Sequence, residues 1–141
     1  MLAHNAVLRV HCHATEEEDR VRQALALLAG EAQAERSLAE GHFKNPIVVF
    51  EVVAQKRAAD AVWGRIRGAR EVARQLAAET ERRTDEAGVF YARFDKQRAY
   101  QGEIAITSGD DAIHLRSKLA AFPQKKEPAV AKLREFLGAI P

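Results

Sequence analysis

One cysteine, one tryptophan, one methionine and four prolines in 141 residues leave little material for several kinds of chemistry. With Cys12 alone, an internal disulfide is excluded, as is a zinc site built on several thiolates. A reducing compartment is the simpler setting. No apolar run approaches the roughly 18–20 residues that span a bilayer. The start, Met1-Leu2-Ala3-His4-Asn5, lacks the basic opening and long apolar core of a signal peptide. A cytoplasmic protein with no membrane association is expected. The phosphate-binding glycine-lysine loop, the dinucleotide fingerprint, the GxSxG elbow and the HExxH zinc pattern are all missing, so the residues offer no positive support for an enzyme. Strong charge of one sign is missing too. Lysine plus arginine number 22 against 20 acids, a net +2, so any taste for anions must come from where charges sit.

What is present is the make-up of an ordinary folded protein, 47% hydrophobic and 30% charged. The length fits one domain over residues 1–141 with a sizeable core. Ile47–Ala54 (Ile-Val-Val-Phe-Glu-Val-Val-Ala) has apolar residues in both alternating sets, which predicts a central strand covered on both faces and started by Asn45-Pro46. Ala6–Ala14 alternates, with Ala6, Leu8, Val10 and Cys12 inward and Arg9, His11 and His13 outward. Thr15 and Glu18 predict a capping box for a helix that carries Val21, Leu25 and Leu28 and ends at Gly30. Glu31–Glu40 reads as a short strand or edge segment.

Lys56–Arg83 is helical, with Gly64 and Gly68 predicting a break near Arg67–Gly68. Val89–Phe94 is a strand with Phe90, Ala92 and Phe94 on one side and Tyr91 and Arg93 on the other. A polar connection, Asp95–Gly102, leads to a short strand at Ile104 and Ile106. Ile113–Leu119 alternates again, with His114, Arg116 and Lys118 outward. A last helix holds Pro128 in its first turn and Gly138 at its stop. The order β-α-(β)-β-α-α-β-β-β-α predicts an α+β fold, a single domain with a mainly antiparallel or mixed sheet packed against helices.

Two constellations bear on function. The outward triplets Arg9, His11, His13 and His114, Arg116, Lys118 form one phosphate-contacting patch if their strands are neighbours. The other account is that solvated strand faces carry cations against aggregation. The second constellation joins His42-Phe43-Lys44-Asn45 with Arg93-Phe94-Asp95-Lys96-Gln97-Arg98-Ala99-Tyr100. Both segments mix cations, amides and an aromatic, the groups that contact RNA phosphates, 2′-hydroxyls and unpaired bases. Turn formation by Asn45-Pro46, pairing of Asp95 with Lys96 or Arg98 and packing of Tyr100 account for the same residues somewhat better on chemistry alone. His11 and His13 lie about 6.6–6.8 Å apart by strand rise, but no clustered carboxylates complete a metal site, and none is expected. Cys12 faces inward, a poor place for a nucleophile. Acids interspersed among the arginines of 57–83 point to a salt-bridged surface.

Three stretches bear a likeness: His11-Cys12-His13-Ala14-Thr15-Glu16, Glu40-Gly41-His42-Phe43-Lys44-Asn45-Pro46-Ile47 and Arg93-Phe94-Asp95-Lys96-Gln97-Arg98-Ala99-Tyr100-Gln101-Gly102. In order and spacing over essentially the whole chain they resemble the archaeal family of predicted RNA-binding proteins described as exosome subunits. Lys44 departs from the family's Gly-His-aromatic-Gly-Asn-Pro pattern by replacing a glycine with a cation. The resemblance implies an α+β fold like the ribosomal 5S-rRNA-binding protein or a double-stranded-RNA-binding domain. It also implies a non-catalytic role in binding structured RNA without a cofactor, alongside subunits of an RNA-processing complex. His42, Lys44, Asn45, Arg93, Lys96, Arg98 and Tyr100 become the leading contact residues, joined by Arg9, His114, Arg116 and Lys118. The competing reading is a protein–protein adaptor or homodimer that uses an edge strand or the arginine-bearing helices.

Overall fold

The alternation in the first strand is kept in three dimensions. In β1 (Asn5–Cys12), Ala6, Leu8, Val10 and Cys12 are buried while Arg9 is exposed. The structure, a computed structural model, describes residues 1–40 and 46–138. After β1 come α1 (Glu18–Ala29), β2 (Glu35–Glu40), β3 (Pro46–Gln55), α2 (Arg57–Gly68), α3 (Arg70–Arg83), β4 (Val89–Asp95), α4 (Lys96–Tyr100), β5 (Ala112–Lys118) and α5 (Lys126–Gly138). Among the described residues, five strands form one antiparallel sheet in the order β2-β3-β1-β5-β4. The fold is α+β, a single domain, and its element order agrees with the order expected from the sequence.

The helices lie on one face of the sheet. Leu8, Val10, Phe50, Val52, Phe90, Ile113 and Leu115 meet Leu25, Leu28, Trp63, Ile66 and Leu76 in one core. Burying such side chains stabilises by about 1.5–3 kcal/mol each relative to exposure. Trp63 fastens α2 to the sheet. Its Nε1 donates to Ser117 Oγ at 2.9 Å, and that hydroxyl donates to the Asn5 carbonyl at 2.6 Å. The indole meets Phe90 edge-on, with centroids 5.1 Å apart. Asp60, read from the sequence as one acid in a salt-bridged surface, instead accepts the Leu2 and Ala3 amides at 3.0 and 3.1 Å and ties down the N-terminal segment.

Glycine and the arginine helices behave largely as expected. Gly30 caps α1 with φ 66°, and a Cβ there would come within 2.2 Å of Arg65 Nη2. Arg65 holds that place by donating to the Leu28 carbonyl at 3.0 Å. The helix break falls at Ala69, directly after Gly68.

Several expectations are corrected. The middle strand is β1; β3 stands second from the β2 edge, and helices cover only the face of Phe50, Val52 and Ala54. On its other face Val49 is buried but Val53 is 55% exposed, so apolarity on both sides did not require two helical layers. Thr15 is not the cap of α1, which starts at Glu18 after Glu17 with no side-chain cap. Glu18, the other half of the expected box, accepts from Arg36 instead. Ile104–Ile106 contributes a single bridge, Ile106 to Phe94, and the polar connection 95–102 contains α4, capped by Asp95 accepting the Arg98 amide at 2.9 Å.

Candidate nucleic-acid interface

Among the described residues no helix layer covers the sheet's second face, and strand register determines what stands on it. One row crosses four strands: Arg93 on β4, His114 on β5, Arg9 on β1 and Glu51 on β3. The next row runs Tyr91, Arg116, Val7, Val53. The two outward triplets are therefore neighbours, joined through the pair Arg9–His114, and Lys118 continues the β5 side toward Val89. Cations gather over β1, β5 and β4, while Glu51 and Glu35 lie toward the β2 edge.

The last turns of α3 rise beside this face and make it a groove of about 980 Å³. Arg9, Arg93, His114, Arg116 and Tyr91 line its floor; Arg82 and Arg83 line its wall. Glu79 also belongs to that wall, held by Arg82 at 2.7 Å and Arg83 at 2.8 Å. Burial alone would raise the Glu79 carboxyl, but the hydrogen bonds from Arg83 and Arg82 keep it below its ordinary range. One carboxylate thus answers two guanidinium groups. Arg93, partly buried, pairs with the fully exposed Asp110 at 3.1 Å, a contact open to solvent screening on the acid's side. Arg9 and Arg116 are exposed and, among the described residues, have no carboxylate within 4.0 Å. His11 is held below its ordinary value, first by burial and then by Arg9, His114, His13 and Lys96.

The residues expected from the second constellation part company. His42, Lys44 and Asn45 lie outside the described residues. Lys96 is fully buried, a correction to its expected place at the surface. Its ammonium donates to Glu16 at 2.8 Å, Asp111 at 2.6 Å and the His11 carbonyl at 3.0 Å. A buried cation fully engaged in this way is a structural centre, and it cannot meet a phosphate without abandoning those partners. Tyr100 is committed as well, donating its hydroxyl to Glu16 beneath the Arg20 guanidinium, 5.2 Å above its ring. Arg98 is exposed on α4 and pairs with Glu103 at 3.4 Å, away from the groove lining. His13 leaves the β1 face to meet Asp111 at 3.4 Å.

His13, Glu16 and Asp111 bring their ligand atoms within 4.8 Å of one another. The cation between the two carboxylates is Lys96 itself. Cys12 is buried, and burial followed by Glu16 and Glu18 keeps its thiol above the ordinary value.

Sequence reasoning missed Tyr91 as a candidate and took Arg82 and Arg83, among the arginines of 57–83, for part of a salt-bridged surface. Tyr91 was detectable, because strand parity puts it on the same side as Arg93. The α3 arginines were not, since only tertiary packing sets that helix end beside β4.

Comparison with known proteins bears on this geometry. Residues 5–119 match the model of a family described as RNA binding. The RNA-binding protein PAB1135 of Pyrococcus abyssi is 39% identical over 144 residues, covering 96% of this chain and 94% of the relative. Mth689, a DUF54 protein from Methanothermobacter thermautotrophicus, superposes with a TM-score of 0.85 at 36% identity, covering 97% of this chain and 99% of its own. AF2318 from Archaeglobus fulgidus gives 0.83 at 31% identity, over 96% and 99% of the two chains.

Proposed function

This chain belongs to the RNA-binding family whose model it matches, and we propose that it binds RNA on the bare face of its sheet, without catalysing a reaction. The observation that carries the reading is the row Arg93–His114–Arg9 beside Arg116, with two further arginines on the α3 wall. Exposed guanidinium groups suit phosphates because their planar donors match two oxygens at once and stay charged at all working pH. Arg9 and Arg116 are the main phosphate contacts, since neither has a carboxylate within 4.0 Å among the described residues, although Glu51 stands across from Arg9 on β3. Arg93 joins them when RNA displaces the exposed Asp110. His114 and Lys118 extend the surface along β5. His42, Lys44 and Asn45, in the segment leading into β3, are further contacts proposed from the family resemblance alone, as is Arg98. The role is that of a cytoplasmic RNA-binding module working beside RNA-processing subunits, the exosome among them.

The test is RNA affinity measured over a range of salt concentrations. Arg9→Ala with Arg116→Ala is expected to weaken binding and to lower the slope of log affinity against log salt by about 0.7–0.9 per arginine. An unchanged affinity and slope would remove the bare face from consideration.

A further inference from the structure

We infer that the groove takes an unpaired RNA nucleotide, its base stacked on the Tyr91 ring and its phosphates held by the surrounding arginines. The inference rests on the RNA-binding reading and names the form of RNA the same surface selects.

Tyr91 stands apart from the other strand aromatics. Phe50, Phe90 and Phe94 are 0 to 1% exposed and belong to the core, whereas Tyr91 is 46% exposed on the opposite face. Its cross-strand partner is Arg116, and Arg93 follows two positions along β4. Arg83 reaches the Tyr91 carbonyl at 3.5 Å from the wall side. The ring is also held in place. Its hydroxyl donates to Asp85 Oδ2 at 3.4 Å, and Asp85 Oδ1 is fixed by the Ala87 and Val89 amides at 3.0 and 2.9 Å. A restrained aromatic lining a groove of about 980 Å³ among arginines is a stacking platform with phosphate ligands around it.

The distinction between single and double strands follows from which surfaces RNA offers. In an A-form duplex the base faces are stacked on one another, so only phosphates, sugars and groove edges reach a protein. The arginines would hold such a duplex without using Tyr91. A loop, bulge or end offers a free base face as well, and every base has one, so the gain is tolerant of sequence.

Binding of the full chain to oligouridylate and to a blunt duplex of equal length separates the possibilities. Tyr91→Ala is expected to weaken oligouridylate binding by roughly 5- to 150-fold, with duplex affinity held within about twofold and the salt slope unchanged. Tyr91→Phe, which keeps the ring, is expected to stay within about threefold of the parent. Equal losses on both RNAs, or equal losses for Phe and Ala, overturn stacking. If Tyr91→Ala has no effect while Arg9→Ala/Arg116→Ala loses affinity, stacking fails and RNA binding on this face stands. If neither variant changes binding, both fall together.

Discussion

Lys96 and Glu16 carry the clearest lesson at the level of single residues. Cation content near Asp95 suggested a surface contact, yet the fold draws Lys96 inside and surrounds it with Glu16, Asp111 and a backbone carbonyl. Burial by itself would raise the Glu16 carboxyl, but hydrogen bonds from Lys96, Tyr100 and the His13 amide outweigh it and bring it to about 2 from 4.5. A carboxyl lowered on folding stabilises the protein above its unfolded value, and that contribution disappears as protons fill the folded site. Glu16 is therefore expected to contribute about 2–3 kcal/mol above about pH 5, lost progressively as the pH falls from about 4.5 to about 2. Urea midpoints for the parent and Glu16→Gln, compared from neutral to acidic pH, should converge in that window. A difference that stays constant with pH would contradict this assignment.

At the level of elements, the glycines of α2 give an independent check on the helix argument. Gly64 is exposed in mid-helix, and a Cβ there would meet nothing within 4 Å. Gly64→Ala is expected to raise stability by about 0.5–1 kcal/mol, seen as a higher denaturation midpoint at unchanged slope. A loss of stability would show that the backbone at Gly64 has a need the helix does not reveal. Strand parity and turn residues made most elements legible, including the edge strand within Glu31–Glu40 and the divided arginine helix. The existence of β1 and β5 and most of their inward residues followed from alternation, because each has one wet face. The expected spans Ala6–Ala14 and Ile113–Leu119 run one or two residues past the observed ends, and buried Ser117 was not among the expected inward residues. What the sequence left hidden was order within the sheet. A strand such as β3, apolar in both alternating sets, marks burial but not position, and here Val49 is buried while Val53 on the same face is 55% exposed. Thr15 failed as a cap because α1 begins only at Glu18, and Glu18, the other half of the expected box, accepts from Arg36 of β2 instead.

The whole molecule is organised by the difference between the two sides of one sheet. Helices and the large apolar side chains occupy one side; arginines from three strands and a helix end converge on the other. A net charge of +2 conceals this, because acids are spread across the remaining surface and pair there, as Glu18 does with Arg36 at 2.8 Å. The first basic constellation was legible because both triplets alternate, but only the pairing of β1 with β5 makes them a single surface. Selection of RNA by such a polarised protein depends on field and shape at that face more than on total charge.

The most direct test is chemical-shift mapping of the isotopically labelled chain during titration with a single-stranded RNA, following backbone amides and arginine Nε–H groups. The account predicts that the largest changes fall on Arg9, Tyr91, Arg93, His114 and Arg116, with Arg82 and Arg83 beside them. Changes concentrated on the outer surfaces of α1, α2 or α5, with those groove resonances unmoved at saturation, would contradict it.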